Sequence, residues 1–223
     1  MMDLFENLKI KVNEKLYLKD PETSVLGKKI LQESILLIDE IGFENFTFKK
    51  LGEKINSNES SIYRYFENKH KLLLYLSYWY WSWIEYKLIL ATTNITDAKE
   101  KLKKVITVVT EKVTIDTNTE YINESILNKI IIAEFTKTLQ TKEVDQENKE
   151  GFFLIYERII NRIVTIVNEV NPEYPYAKSL VSTIVEGNLH QHFLKEHLKT
   201  ITDCGEPIST TQFYLNLTEN VLR

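Results

Sequence analysis

The sequence predicts an all-α protein: an N-terminal tri-helical helix-turn-helix followed by a larger helical domain. Three observations carry this. Breakers are scarce, with six glycines and four prolines in 223 residues, and residues such as Leu, Ile, Lys and Glu favour long helices. Apolar residues recur at helical spacing, and no stretch sustains the two-residue alternation of a half-buried strand. Capping residues stand before most apolar runs. With 43% apolar and 27% charged residues, the chain can bury a core, which disfavours disorder.

Residues 3–19 place Leu4, Phe5, Leu8, Val12 and Leu16 at helical spacing among Lys9, Lys11, Lys15 and Lys19. The pattern predicts an amphipathic helix packed on a neighbour, with a basic arm touching a DNA backbone as the alternative. Asp20-Pro21 then reads as a cap and first-turn proline, opening a helix over 21–41. Its stripe is Ile30, Leu31, Ile35, Leu37, Ile38 and Ile41, and Gly42 supplies the left-handed terminus with Phe43 as the hydrophobic contact. Thr47 caps the next helix, in which Phe48, Leu51 and Ile55 share a face. Gly52 is costly inside that helix, which predicts a close backbone neighbour. Asn56 can take the left-handed conformation in the turn. A second short helix covers 59–66, and Asn68 caps a long helix from Lys69 to about Leu90. Further helices are predicted over 97–114, 119–139, 145–170, 173–199 and 210–222. Residues 1–70 are read as the first domain and 71–223 as the second.

Two short helices joined by about three residues, after a longer one, describe a helix-turn-helix. At 100° per residue Ile62 and Phe66 face Leu51 and Ile55. Ser60 and Arg64 lie almost opposite, Glu59, Ser61 and Tyr63 flank them, and Tyr65 lies nearer the buried edge. Small residues let a helix enter the major groove, and an arginine can reach a guanine edge or a phosphate. The whole chain is acidic, with a net charge of −4. Residues 47–71, however, hold six Lys/Arg against three acids.

The stretch ILLIDEIGFENFTFKKLGEKINSNESSIYRYFENKHKLL resembles the DNA-binding domain of TetR-family transcriptional regulators. The resemblance covers residues 26–74. It implies DNA contacts at Thr47, Lys49, Glu59, Ser60, Ser61, Tyr63, Arg64, Tyr65 and Lys69; Lys50 is added from charge alone. It departs from the family at Ile55-Asn56-Ser57, where an apolar contact is lost, and at Glu59, whose carboxylate repels phosphate but can accept from cytosine N4. The resemblance implies a homodimer on double-stranded DNA and a cytoplasmic, ligand-responsive repressor of transcription on a palindromic operator. Glu59 and the acidic total charge motivate the alternative, a helical small-molecule carrier without DNA binding.

For the helical remainder, the resemblance implies a pocket and a dimer interface. Ser182, Thr183 and Gly187 permit close approach, and Phe213, Leu217 and Val221 form an apolar stripe. The stretch YLSYWYWSWIEY (75–86) surrounds its helix with rings, which predicts core packing first. The sharper reading makes Trp79, Tyr80 and Trp83 the wall of a pocket for a small apolar or aromatic effector. His190 and His197 can share a face with Glu186 while His192 points away, too few convergent ligands for a metal. No cofactor motif, nucleophile elbow or other catalytic set is present, so an enzyme is not expected. The one cysteine, Cys204, excludes an internal disulfide. The N-terminus does not read as a signal peptide, and the longest uncharged run, Leu72 to Ile84, is too short to span a bilayer.

Overall fold

The computed structural model describes residues 10–113 and 121–223. The helix-forming residues Leu4, Phe5 and Leu8 of the predicted N-terminal helix, and the predicted turn at 115–119, lie outside the described residues. Every regular element described is helical. The order is α1 (Val25–Asn45), α2 (Phe48–Ile55), α3 (Glu59–Tyr63), α4 (Lys69–Thr92), α5 (Ala98–Thr110), α6 (Glu124–Leu139), α7 (Val144–Lys149), α8 (Leu154–Val170), α9 (Ala177–His197) and α10 (Thr210–Val221). Short 3-10 turns occupy Glu14–Leu16, Pro21–Thr23 and Lys199–Ile201.

The chain divides into two compact units, Met1–Ser82 with Val113–Leu154, and Trp83–Lys112 with Ile155–Arg223. In the first unit Ile30, Leu31, Leu51, Ile62, Phe66, Leu72 and Leu73 are 0% exposed. Each such side chain contributes about 1.5–3 kcal/mol when fully buried. These residues fix α1, α2, α3 and the start of α4 against one another. In the second unit Leu88, Val105, Ile159, Val167 and Val181 are likewise fully buried. Polar atoms inside it are partnered across elements: Asn188 Nδ2 donates to the Val109 carbonyl at 2.8 Å, and His192 Nε2 to that of Thr110 at 3.0 Å. Buried Glu85 receives the guanidinium of Arg158, with Arg162 3.8 Å away.

Residues 10–19 are not an α-helix. They form a strap with one 3-10 turn, and Ile10, Val12 and Leu16 are buried. The packing expected of this segment is present without the helix. A second difference follows at Asp20, whose side chain accepts from Glu22 N at 2.9 Å and so caps only the Pro21–Thr23 turn. The helix proper waits for Ser24, an extended residue whose Oγ accepts from Gly27 N. Gly42 turns the chain with φ 76° as expected, but ψ 154° makes it extended rather than left-handed helical. The predicted helix over 145–170 is two helices, α7 and α8, because Gly151 (φ 82°) reverses the chain between them.

Candidate nucleic-acid interface

The helix-turn-helix is assembled by local caps. Thr47 Oγ1 accepts from Lys50 N and starts α2. Asn56 ends it at φ 56°, ψ 46°, a left-handed conformation that asparagine tolerates. Asn58 then starts α3, its Oδ1 accepting from Ser61 N at 2.9 Å. The turn closes with Ser57 N donating to Gly52 O at 2.8 Å. A Cβ on Gly52 would lie 2.8 Å from Ser57 O and 3.3 Å from Glu59 N, the close backbone neighbour that this glycine predicts.

Ile62 of α3 and Phe66, three residues past its end, are buried with Leu51 and Ile55 of α2, all at 3% exposure or less; the helix stops at Tyr63, short of the predicted 66. Ser60, Tyr63 and Arg64 are exposed on the other side, with Glu59 and Ser61 half-buried beside them. Both serine hydroxyls donate to Asn58 Oδ1, at 3.0 and 2.5 Å. The Tyr63 ring rests edge-on against buried Phe48, with centroids 5.0 Å apart. Its orientation is therefore set from below. The Arg64 guanidinium has no hydrogen bond or ion pair among the described residues. Thr47, Lys49 and Lys50 are exposed at the start of α2.

Three expected contact residues are engaged elsewhere. Tyr65 is 3% exposed and its hydroxyl meets Ser24 Oγ at 2.8 Å. This bond ties the end of the reading face to the N-cap of α1. Lys69 Nζ donates to the carbonyls of Phe43, Glu44 and Phe46 at 3.0–3.3 Å and stands 4.8 Å over the Phe43 ring. All three ammonium protons are directed at these carbonyls, but carbonyls are neutral and the charge is kept. Lys69 is thus a brace between α4 and the end of α1. Lys50 Nζ donates to Asn45 O at 2.9 Å. The linker 56–58 reads as a turn that caps again, and Asn58 does so; what sequence reasoning missed is its hold on both serine hydroxyls, and Phe48 as the seat of Tyr63. The Asn-x-Ser-Ser order could have signalled the first.

The other candidate residues are placed as follows. Trp79, Tyr80 and Trp83 are 1%, 3% and 5% exposed. The Tyr80 hydroxyl accepts from Asn128 Nδ2 at 2.8 Å, and burial drives its pKa well up. Trp83 lies under Lys87 Nζ at 4.7 Å. These rings do not line a cleft of about 280 Å³ in the second unit, whose walls mix Leu102, Ile106 and Leu215 with Lys99, Lys103 and Glu219. On α9, Thr183 is exposed and Ser182 half-buried, its hydroxyl donating to Ser179 O. The room at Gly187 is already used: a Cβ there would lie 2.5 Å from the Tyr214 hydroxyl of α10. On α10, Phe213 is 41% exposed, with Leu217 and Val221 half-buried. Among the described residues no group of three His, Cys, Asp or Glu could hold a metal ion, and no helix is long and apolar enough to cross a membrane.

This geometry has a counterpart among known proteins. Residues 30–76 match the family model for bacterial regulatory proteins of the tetR family. The chain carries a TetR-family N-terminal domain. Solved structures with the same fold include the superantigen PfiT (TM-score 0.60, 15% identity, covering 91% of this chain and 97% of that one). AibR, in complex with isovaleryl coenzyme A and operator DNA, has TM-score 0.58, 13% identity and coverage of 86% and 97%. The ketosteroid transcriptional regulator KstR2 of Mycobacterium tuberculosis has TM-score 0.53, 12% identity and 97% coverage of both chains. At these identities the likeness is one of fold. No curated protein matches the chain.

Proposed function

We propose that this protein is a sequence-specific regulator of transcription, a cytoplasmic repressor that binds a palindromic operator as a homodimer and responds to a small apolar or aromatic effector. The observation that carries this is the outward face of α3. Ser60, Tyr63 and Arg64 are exposed on a helix whose opposite side is fully packed, inside a TetR-family domain. Arg64 is the specificity residue, reading a guanine edge. Ser60 lets the helix approach the groove floor, Tyr63 meets a phosphate or a thymine methyl, and Thr47 and Lys49 hold the flanking backbone.

One reading head carries little positive charge, so two half-sites are needed for discrimination. Phe213, Leu217, Val221 and Thr183, on the outer sides of α9 and α10, are the surface we assign to the second copy. Effector response passes along α4, which both units share; a tilt of α4 would alter the separation of paired reading heads. The complex of AibR with isovaleryl coenzyme A and operator DNA supports a small-molecule effector for a chain of this fold.

The test is selection from genomic fragments at modest salt. A palindrome should be enriched, and Arg64→Ala should lose about 1–3 kcal/mol at a single base step. Failure to enrich any palindrome over random DNA refutes the reading.

A further inference from the structure

The N-terminal strap ends against the reading helix. Leu18 N donates to the carbonyl of Tyr65 at 2.8 Å. One residue on, Lys19 Nζ stands 5.2 Å from the centroid of the Tyr65 ring. Tyr65 directly follows Arg64, so Lys19, 45 positions earlier in sequence, is held beside the C-terminal end of the exposed face. Lys19 is itself exposed and has no ion pair among the described residues. The acids nearest in sequence are committed elsewhere: Asp20 to Glu22 N, and Glu22 to the hydroxyl of Tyr75 at 3.5 Å.

The strap is firmly anchored. Leu16 is 0% exposed, Tyr17 packs edge-on against Tyr75 at 6.0 Å, and Asn13 Nδ2 donates to Glu150 O at 3.1 Å. Where the strap meets α1, a Cβ on Gly27 would sit 2.1 Å from Pro21 O, so helix and strap touch backbone to backbone. The backbone that carries Lys19 is therefore in place before any ligand arrives, and its ammonium rests over the Tyr65 ring, so less ordering entropy opposes its use than on a free arm.

From these contacts we infer that Lys19 is a further DNA-backbone contact, outside the helix-turn-helix, that clamps the phosphate flanking the end of the reading helix. A recognition helix lying in a groove has phosphates on both walls. The ammonium of Lys69, at the start of α4, is tied to three carbonyls. Lys19 adds a second positive charge beside Tyr65, just past the end of α3, with no ion pair among the described residues. The inference rests on the DNA-binding reading above.

The experiment measures operator affinity of the full-length protein against salt concentration. The variants are Lys19→Gln, Lys19→Arg and, as control, Lys11→Gln. Lys11 lies on the same strap but is 3.7 Å from Glu14, with which it pairs. Removing one phosphate contact lowers the slope of log K against log salt by about 0.9 for each copy bound. Lys19→Gln should show that drop with equal loss on all sequences, Lys19→Arg should restore the slope, and Lys11→Gln should leave it unchanged. Circular dichroism melts identify any variant whose affinity falls through unfolding, and the Arg variant then decides. A Lys19→Gln slope equal to wild type, or an equal drop in Lys11→Gln, overturns the inference while leaving the regulator intact. Absence of operator binding by the wild type would sink the regulator itself, and the clamp with it.

Discussion

Gly52→Ala separates two forces that act in opposite directions. In an exposed helix interior, alanine in place of glycine gains about 0.8–1.0 kcal/mol. Here the new Cβ would lie 2.8 Å from Ser57 O, against an ordinary contact of at least 3.4 Å, a shortfall of 0.6 Å. The atom in the way is backbone and cannot swing aside. It also belongs to the residue whose N–H closes the turn onto Gly52 O at 2.8 Å. Relieving the overlap costs about 1–3 kcal/mol, and stretching that hydrogen bond costs up to about 1 more. The clash should win, leaving a net destabilisation of up to about 3 kcal/mol. Because Ser57 leads directly into Asn58 and α3, the same displacement moves the reading helix. Hydrogen bonds to bases tolerate only about half an ångström in length, so operator affinity should fall roughly 10- to 100-fold. Urea unfolding followed by circular dichroism gives the first quantity, and fluorescence anisotropy with operator DNA the second. A Gly52→Ala protein about 1 kcal/mol more stable, with full affinity, would show that the turn has room and that the argument from close approach is wrong.

Three further outcomes follow from the same contacts. Thr47→Ala removes the α2 cap at Lys50 N and should cost about 1 kcal/mol in urea unfolding while weakening all DNA sequences alike; unchanged stability would refute the capping role. Tyr65→Phe removes the hydroxyl paired with Ser24 and should cost about 0.5–1.5 kcal/mol with base preference intact. A changed preference in binding selection would put Tyr65 back on the reading face. His192 is held below its ordinary pKa, chiefly by burial and further by Lys195 and Lys112, against the opposing Thr110 carbonyl and Glu196. The unfolded chain therefore takes the proton first. Stability should be full above about pH 6.5 and fall as acid is added through the lower folded value, and His192→Gln should flatten that part of a pH series of unfolding curves.

The parts of this fold that were legible in the sequence are those fixed within a turn or two of chain. Thr47, Asn56 and Gly52 each announce a cap, a left-handed residue or a close approach through local chemistry. The inward set Leu51, Ile55, Ile62 and Phe66 follows from helical period alone, and its complement is the exposed face. Illegible were the polar atoms whose partners lie far along the chain. Nothing near Lys69 says that its three protons go to carbonyls at 43, 44 and 46, because that need arises only once Gly42 has opened the end of α1. Residues 10–19 mislead for a related reason. Their apolar spacing suits a helix, but Leu16 and Val12 find their cover from the rest of the unit, so tertiary burial can be satisfied by an extended strap. The split at Gly151 is similar, since one glycine in a polar run reads as tolerated until its positive φ is known. A lysine bonded to carbonyls keeps its charge but loses its freedom to move, so counting charges does not say which cations can reach a phosphate. The two cations we assign to DNA, Arg64 and Lys19, are both exposed, stand on packed backbone and have no ion pair among the described residues.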